Sequence, residues 1–95
     1  MAAYVIVDSE IKNLDGMKEY IEKVGATLGA HGGQPIVAGT NIEKVEGDWK
    51  PSRIVIVAFP SMDAAKAWYN SPAYQEILPI RTANTDDKVI LVEGL

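Results

Sequence analysis

The chain has 95 residues, 47% of them hydrophobic, a formal net charge of −4 and no cysteine. That length makes one domain with an adequate core, and that composition argues for a folded chain rather than disorder. An acidic chain without a Lys/Arg cluster is a poor binder of nucleic-acid backbone or of an anionic membrane surface. The lack of cysteine excludes disulfides, a thiolate nucleophile and Cys-based zinc or iron–sulfur sites.

Met1-Ala-Ala-Tyr-Val-Ile-Val-Asp8 has no basic leader and too short an apolar run for a signal peptide. No stretch approaches the roughly 18 apolar residues of a membrane span. A cytoplasmic protein is expected. Ala3 to Val7 reads as a first strand, apolar at consecutive positions. Asn13 is the expected cap of the helix that follows, with Asp15 adding a favourable charge to its first turn. Met17, Tyr20, Ile21, Val24, Leu28 and His31 fall at spacings of three and four, which makes them its inward stripe. Gly25 and Gly29 weaken this helix but would let it approach a sheet closely. Gly32-Gly33 ends it by permitting positive φ.

Ile36 to about Val45 reads as a second, weaker strand, and Gly39 suggests a bulge or bend in it. Glu46-Gly-Asp-Trp-Lys-Pro51 is expected to be a loop between antiparallel neighbours. Arg53-Ile-Val-Ile-Val-Ala-Phe59 is the central strand, with apolar residues on both faces. Ser61 caps a second helix whose buried side is Ala64, Ala65, Trp68 and Tyr69. Ser71-Pro72 starts another, and Pro79 should end or kink it near Leu78. Thr82 to Asp87 reads as a polar loop, and Lys88 to Glu93 as the last strand.

The order is β-α-β-β-α-β. This is an α+β, ferredoxin-like protomer with an antiparallel four-stranded sheet, filling residues 1–95 as a single domain. Both helices of that topology cover one sheet face, so the other should be polar. Here both faces of three strands are aliphatic. Ala3, Val5 and Val7 oppose Tyr4 and Ile6, Val55, Val57 and Phe59 oppose Ile54, Ile56 and Ala58, and Val89 and Leu91 oppose Ile90 and Val92. An exposed patch of that size exceeds what monomers usually tolerate, and a two-fold homodimer with sheets face to face is the simplest closed solution.

The words Glu46-Gly-Asp-Trp49, Phe59-Pro-Ser61, Ala67-Trp-Tyr69 and Ser71-Pro-x-Tyr74 carry a family resemblance. So do Arg81 and the ending Val92-Glu-Gly94, with a looser match at Tyr20 and Gly32-Gly33. On these residues the chain resembles domain-of-unknown-function family 1330, within the dimeric α/β-barrel superfamily. The resemblance implies a homodimer and a cleft between helices and sheet, and it implies no reaction. Relatives by fold include cofactor-free monooxygenases, lactone isomerases and stress-induced binding proteins. The chain departs from the family in carrying Gln34 and Ala38 where arginines are usual.

His31 is the only histidine and continues an inward stripe. Either it contacts a ligand, as a general base among other roles, or it is a structural residue at a helix end. Trp68, Tyr69 and Tyr74 make either an aromatic pocket or plain core. Arg53 and Arg81 hold a carboxylate or form surface ion pairs. Trp49, in the most distinctive loop, is either a lid over the cleft or packing against the partner. No spacing supports a metal site, a hydrolytic carboxylate pair, a Ser-His-Asp triad or a phosphate loop, and no cofactor is expected. The leading reading is a homodimer binding a small aromatic or carboxylate-bearing metabolite. A cofactor-independent enzyme using the same cleft and a purely structural protein are the alternatives.

Overall fold

The computed structural model describes residues 1–95. Four strands, β1 (Ala3–Ile11), β2 (Gln34–Gly39), β3 (Arg53–Phe59) and β4 (Thr85–Glu93), form one antiparallel sheet in the order β2-β3-β1-β4. Three helices, α1 (Lys18–Gly29), α2 (Met62–Tyr69) and α3 (Pro72–Asn84), lie on one side of it. The thinnest dimension is 16 Å, room for a sheet and one helix layer. The ferredoxin-like α+β architecture expected from the element order is the one found.

Local chemistry explains the boundaries. The Asn13 side chain accepts from Gly16 N–H at 3.2 Å, so it caps a 3-10 turn, Asp15–Met17, that leads into α1. Gly32 adopts φ 74°, which lets Gly33 N–H return to the Leu28 carbonyl at 2.8 Å and close the helix end. Ser61 accepts from Ala64 N–H at the start of α2, and Ser71 accepts from Tyr74 N–H at the start of α3, where Pro72 takes the first turn.

Five readings of the sequence are corrected. First, α3 does not end at Pro79 but continues to Asn84. Side chains of its last turns bind carbonyls one turn back, Thr85 Oγ1 to Arg81 and Asn84 Nδ2 to Ile80, both at 2.7 Å. Secondly, the polar stretch from Thr82 is therefore helix and then strand rather than loop. Thr85, Asp86 and Asp87 have partners because β1 runs on to Ile11 and pairs them with Ile11, Glu10 and Ser9. Thirdly, β2 stops at Gly39, which pairs with Ile54 next to the start of β3; beyond it there is no strand left to pair with. Fourthly, the bulge in β2 falls at Ile36, between Pro35 and Val37, and not at Gly39. Finally, Gly25 and Gly29 do not face the sheet, and a Cβ at either would meet nothing within 4 Å.

The register fixes which side chains face the helices. On β1 these are Ala3, Val5, Val7 and Ser9; on β3, Arg53, Val55, Val57 and Phe59; on β4, Asp87, Val89 and Leu91. The core combines Val5, Val57 and Phe59 with Leu28, Ala65, Trp68, Tyr74 and Ile77 from the helices. The opposite face carries a row of aliphatics across four strands, Val37, Ile56, Ile6 and Ile90, and no element of this chain covers it with a helix.

Candidate functional site

Between the helices and the sheet lies a cavity of about 240 Å³, mostly apolar in lining. Its floor is built by the alternation of the strands. Val5 and Val57 form one row, Val7, Val55 and Val89 the next. The following row changes character, because Ser9 is paired with Arg53 on one side and Asp87 on the other. One end of the cavity is thus polar by register alone.

Aromatic side chains from the helices close the cavity from above. Trp68 packs on Tyr74 with ring centroids 4.1 Å apart and on Phe59 at 5.5 Å. Tyr69 lies 5.6 Å from Tyr74. Tyr20 of α1 meets Tyr74 of α3 edge-on at 6.0 Å and 74°. The Trp68 indole N–H donates to Thr27 Oγ1 at 3.1 Å, and that hydroxyl donates to the Val24 carbonyl at 2.7 Å. Trp68 therefore offers the cavity a ring face and no hydrogen-bond donor.

Four polar side chains form a chain along the edge of the site. Arg81 Nη1 donates to Asp87 Oδ2 at 2.9 Å, and Arg81 Nε donates to the Tyr74 oxygen at 3.3 Å. The Tyr74 and Tyr20 oxygens are 2.8 Å apart. Glu10 N–H donates to the other Asp87 oxygen at 3.2 Å. The ion pair is buried, with side-chain exposures of 11% for Arg81 and 3% for Asp87. Burial works against the Arg81 charge, but Tyr74 and the Asp87 carboxylate outweigh it and hold its pKa above the ordinary value. Burial, with Tyr74 alongside, pushes the Tyr20 phenol well above the usual tyrosine range, so it stays protonated into alkaline pH. Tyr69, Arg81, Asp87 and Val89 also border a shallow polar groove outside, which places the ion pair between cavity and solvent.

Arg53 is different. It lines the cavity, yet the three ion pairs of the chain are made by other residues, and no side-chain hydrogen bond involves it. Ser9, 5% exposed, also makes no side-chain hydrogen bond, and no fully buried polar side-chain atom lacks a partner. The Ser9 hydroxyl therefore opens onto the cavity. With Arg53 and Arg81 set against Asp87, the site holds one more positive than negative group, in a chain that is acidic overall.

Of the residues singled out in the sequence, Arg53, Trp68, Tyr69, Tyr74 and Arg81 line this cavity together. His31 and Trp49 do not. The inward stripe of α1 ends at Leu28, and His31 belongs to the turn that closes the helix through its own N–H to Leu28. Trp49 donates its indole N–H to Asp8 Oδ2 at 2.8 Å, and Asp8 points to the helix-free face, opposite the cavity. Ser9, Tyr20 and Asp87 were missed as site residues. Continuing the period of two from Ala3 through Val7 would have placed Ser9, and the polar tip of Tyr20 on the inward stripe was a signal for that residue. Ala38 also lines the cavity, while Gln34 is exposed on edge strand β2. Nowhere do three or more His, Asp or Glu converge as they would around a metal ion, and no helix is long and apolar enough to cross a membrane.

This arrangement, one antiparallel sheet with helices on a single face and a cavity between them, defines a ferredoxin-like α+β protein. Within that class the chain belongs to the family described as a domain of unknown function (DUF1330), whose model matches residues 2–95. Among curated proteins the sequence has no match. Crystal structures with the same fold include a protein of unknown function from Rhodopseudomonas palustris, at a TM-score of 0.76 and 20% identity, covering 99% of this chain and 82% of that one. A dimeric ferredoxin-like protein of unknown function from Jannaschia sp. CCS1 has a TM-score of 0.66 at 16% identity, covering 99% and 100%. SnoaB, a cofactor-independent oxygenase from Streptomyces nogalater, has a TM-score of 0.68 at 11% identity, covering 99% and 92%. At such identities the likeness establishes the fold and leaves the chemistry to the residues of this chain.

Proposed function

We propose that the protein binds a small organic acid with a flat, apolar body in the cavity between helices and sheet. The observation that carries this reading is Arg53: a guanidinium without a partner in the chain, paired across the sheet with Ser9, at the polar end of an otherwise apolar space. An arginine in such a setting is suited to a carboxylate, which it can hold with two parallel hydrogen bonds. Valine side chains and the rings of Trp68, Tyr69 and Tyr74 would take the body of the ligand.

In the same reading the chain pairs with a second copy through the helix-free sheet face. Exposed Val37, Ile90 and Val92 on that face support it, and the dimeric ferredoxin-like relative supports it in kind. Catalysis is the weaker reading. The protonated Tyr20 is a poor base at neutral pH, and His31 stands away from the cavity.

Calorimetric titration with benzoate and phenylpropionate tests the proposal. Arg53→Gln should weaken binding roughly 10- to 100-fold, the loss of about 1.5–3 kcal/mol for a hydrogen bond to a charged group. A panel of aromatic and aliphatic acids that leaves the melting temperature unmoved at millimolar concentration would overturn it.

A further inference from the structure

The direction of the hydrogen bonds along Asp87, Arg81, Tyr74 and Tyr20 identifies a second recognition element. A guanidinium only donates, so at Nε···Oη the Tyr74 oxygen is the acceptor. Tyr74 is 2% exposed, and its only other polar side-chain neighbour is the Tyr20 oxygen. Were Tyr20 the donor to Tyr74, the buried Tyr74 proton would be left without an acceptor, which is unfavourable. With Tyr74 donating instead, every group of the chain is satisfied up to Tyr20, whose oxygen accepts and whose own proton has no acceptor in the protein.

Tyr20 lines the cavity. We infer that its hydroxyl donates to the ligand, and that the ligand is a carboxylic acid bearing a carbonyl oxygen apart from its carboxylate: an oxo acid. The inference rests on reading the cavity as an acid site. The phenol is protonated at neutral pH, as an unperturbed tyrosine is, and is therefore a donor. Arg81, polarising Tyr74 and through it Tyr20, strengthens the donation along the chain. A carbonyl suits this position better than an alcohol. The neighbouring wall is Ile21 and Val24 of the same helix and Met17 of the turn before it, with nothing to receive an alcohol's own proton.

The test compares 3-benzoylpropionate with 4-phenylbutyrate, acids that differ only in the carbonyl, by calorimetric titration against the full chain. The wild type should prefer the oxo acid roughly fivefold, the worth of one net hydrogen bond. Tyr20→Phe should bring the two affinities within about twofold of each other. Tyr74→Phe, which removes the group that orients Tyr20, should reduce the preference while leaving Tyr20 in place. A preference that survives in Tyr20→Phe, or wild-type binding of both acids with equal affinity, overturns the inference and leaves the acid site standing. Failure of both acids to bind the wild type overturns the acid site itself, and the inference with it. A measurement independent of the variants is the 13C resonance of carbonyl-labelled 3-benzoylpropionate. It should move downfield on binding as the carbonyl accepts a hydrogen bond, and an upfield shift toward its value in aprotic solvent would overturn the inference.

Discussion

Removing the Asp87 carboxylate should destabilise the fold by about 3–5 kcal/mol, the usual consequence of stranding one member of a buried ion pair. The structure says which part of that loss dominates. Asp87 accepts from Glu10 N–H on one oxygen and from Arg81 Nη1 on the other. The Glu10 amide is exposed, so water replaces the carboxylate there at little cost. Arg81 is not so placed: its side chain is 11% exposed, and without Asp87 its remaining side-chain partner is the Tyr74 oxygen. The Asp87→Ala penalty is therefore mainly that of a guanidinium without its counter-charge. Set against the roughly 5–15 kcal/mol that holds a domain of this kind together, it is a large fraction. Urea unfolding followed by tryptophan fluorescence, at one fixed protein concentration, would measure it. Arg81→Met combined with Asp87→Ala should cost less than Asp87→Ala alone, since no charge is then stranded. Asp87→Ala within about 1 kcal/mol of wild type, or a double variant equal to the sum of the two singles, would refute the reasoning.

Three further outcomes are expected. The raised Tyr20 pKa means that the folded chain holds a proton the unfolded chain releases, so stability is fully present below pH ~10 and falls by about 1.4 kcal/mol per unit as pH rises beyond it. The difference in unfolding free energy between wild type and Tyr20→Phe, followed from pH 8 to 11, should show that slope, and a flat difference would refute it. Gly33→Ala should cost about 1–3 kcal/mol in thermal unfolding, because its Cβ would stand 2.7 Å from Cε1 of the buried Phe59; a neutral change would mean that the ring yields freely. Ile90, 60% exposed in the single chain, should tolerate a charge there, but Ile90→Glu should abolish self-association if the helix-free face joins two copies. Sedimentation of wild type and variant at micromolar concentration decides it, and an unchanged dimer would place the interface elsewhere.

The sheet and its helices were legible because their signals are local. Alternation and apolar runs marked β1, β3 and β4, and Ser61 and Ser71 announced α2 and α3 through bonds that span three residues. A period of two also sorted Val55 and Val57 from Ile54 and Ile56, but with both sets apolar it left open which one faces the helices and floors the cavity. What failed depended on partners far along the chain. The polar segment around Asp87 carries no apolar pattern, so nothing local marks it as a strand. It is one because β1 extends past Val7 to Ile11 and offers it a ladder. Pro79 is tolerated for a related reason: the ends of α3 are held by capping side chains, and the side chains of Tyr74 and Arg81 lock it to α1 and β4.

The misplaced helix end and the missed Asp87 share one cause. With α3 stopped at Leu78, Arg81 belongs to a loop and has no fixed direction. With α3 carried to Asn84, Arg81 lies two turns after Tyr74, seven residues on, and so on the same helix face. It then meets both the Tyr74 oxygen and the Asp87 carboxylate that β4 brings opposite Ser9. The hydrogen-bond chain that ends at Tyr20 exists only in that geometry. A proline tolerated inside a helix thus decides whether two tyrosines, an arginine and an aspartate are scattered surface residues or one connected wall of the cavity. The same dependence gives a way to check it. Pro79→Ala should leave the Tyr74–Arg81 spacing and the Tyr20 titration slope unchanged, because the helix already runs through that position, and should stabilise the chain slightly by restoring a backbone donor. A Pro79→Ala variant that lost the high-pH difference from Tyr20→Phe would mean that the proline itself sets the direction of Arg81.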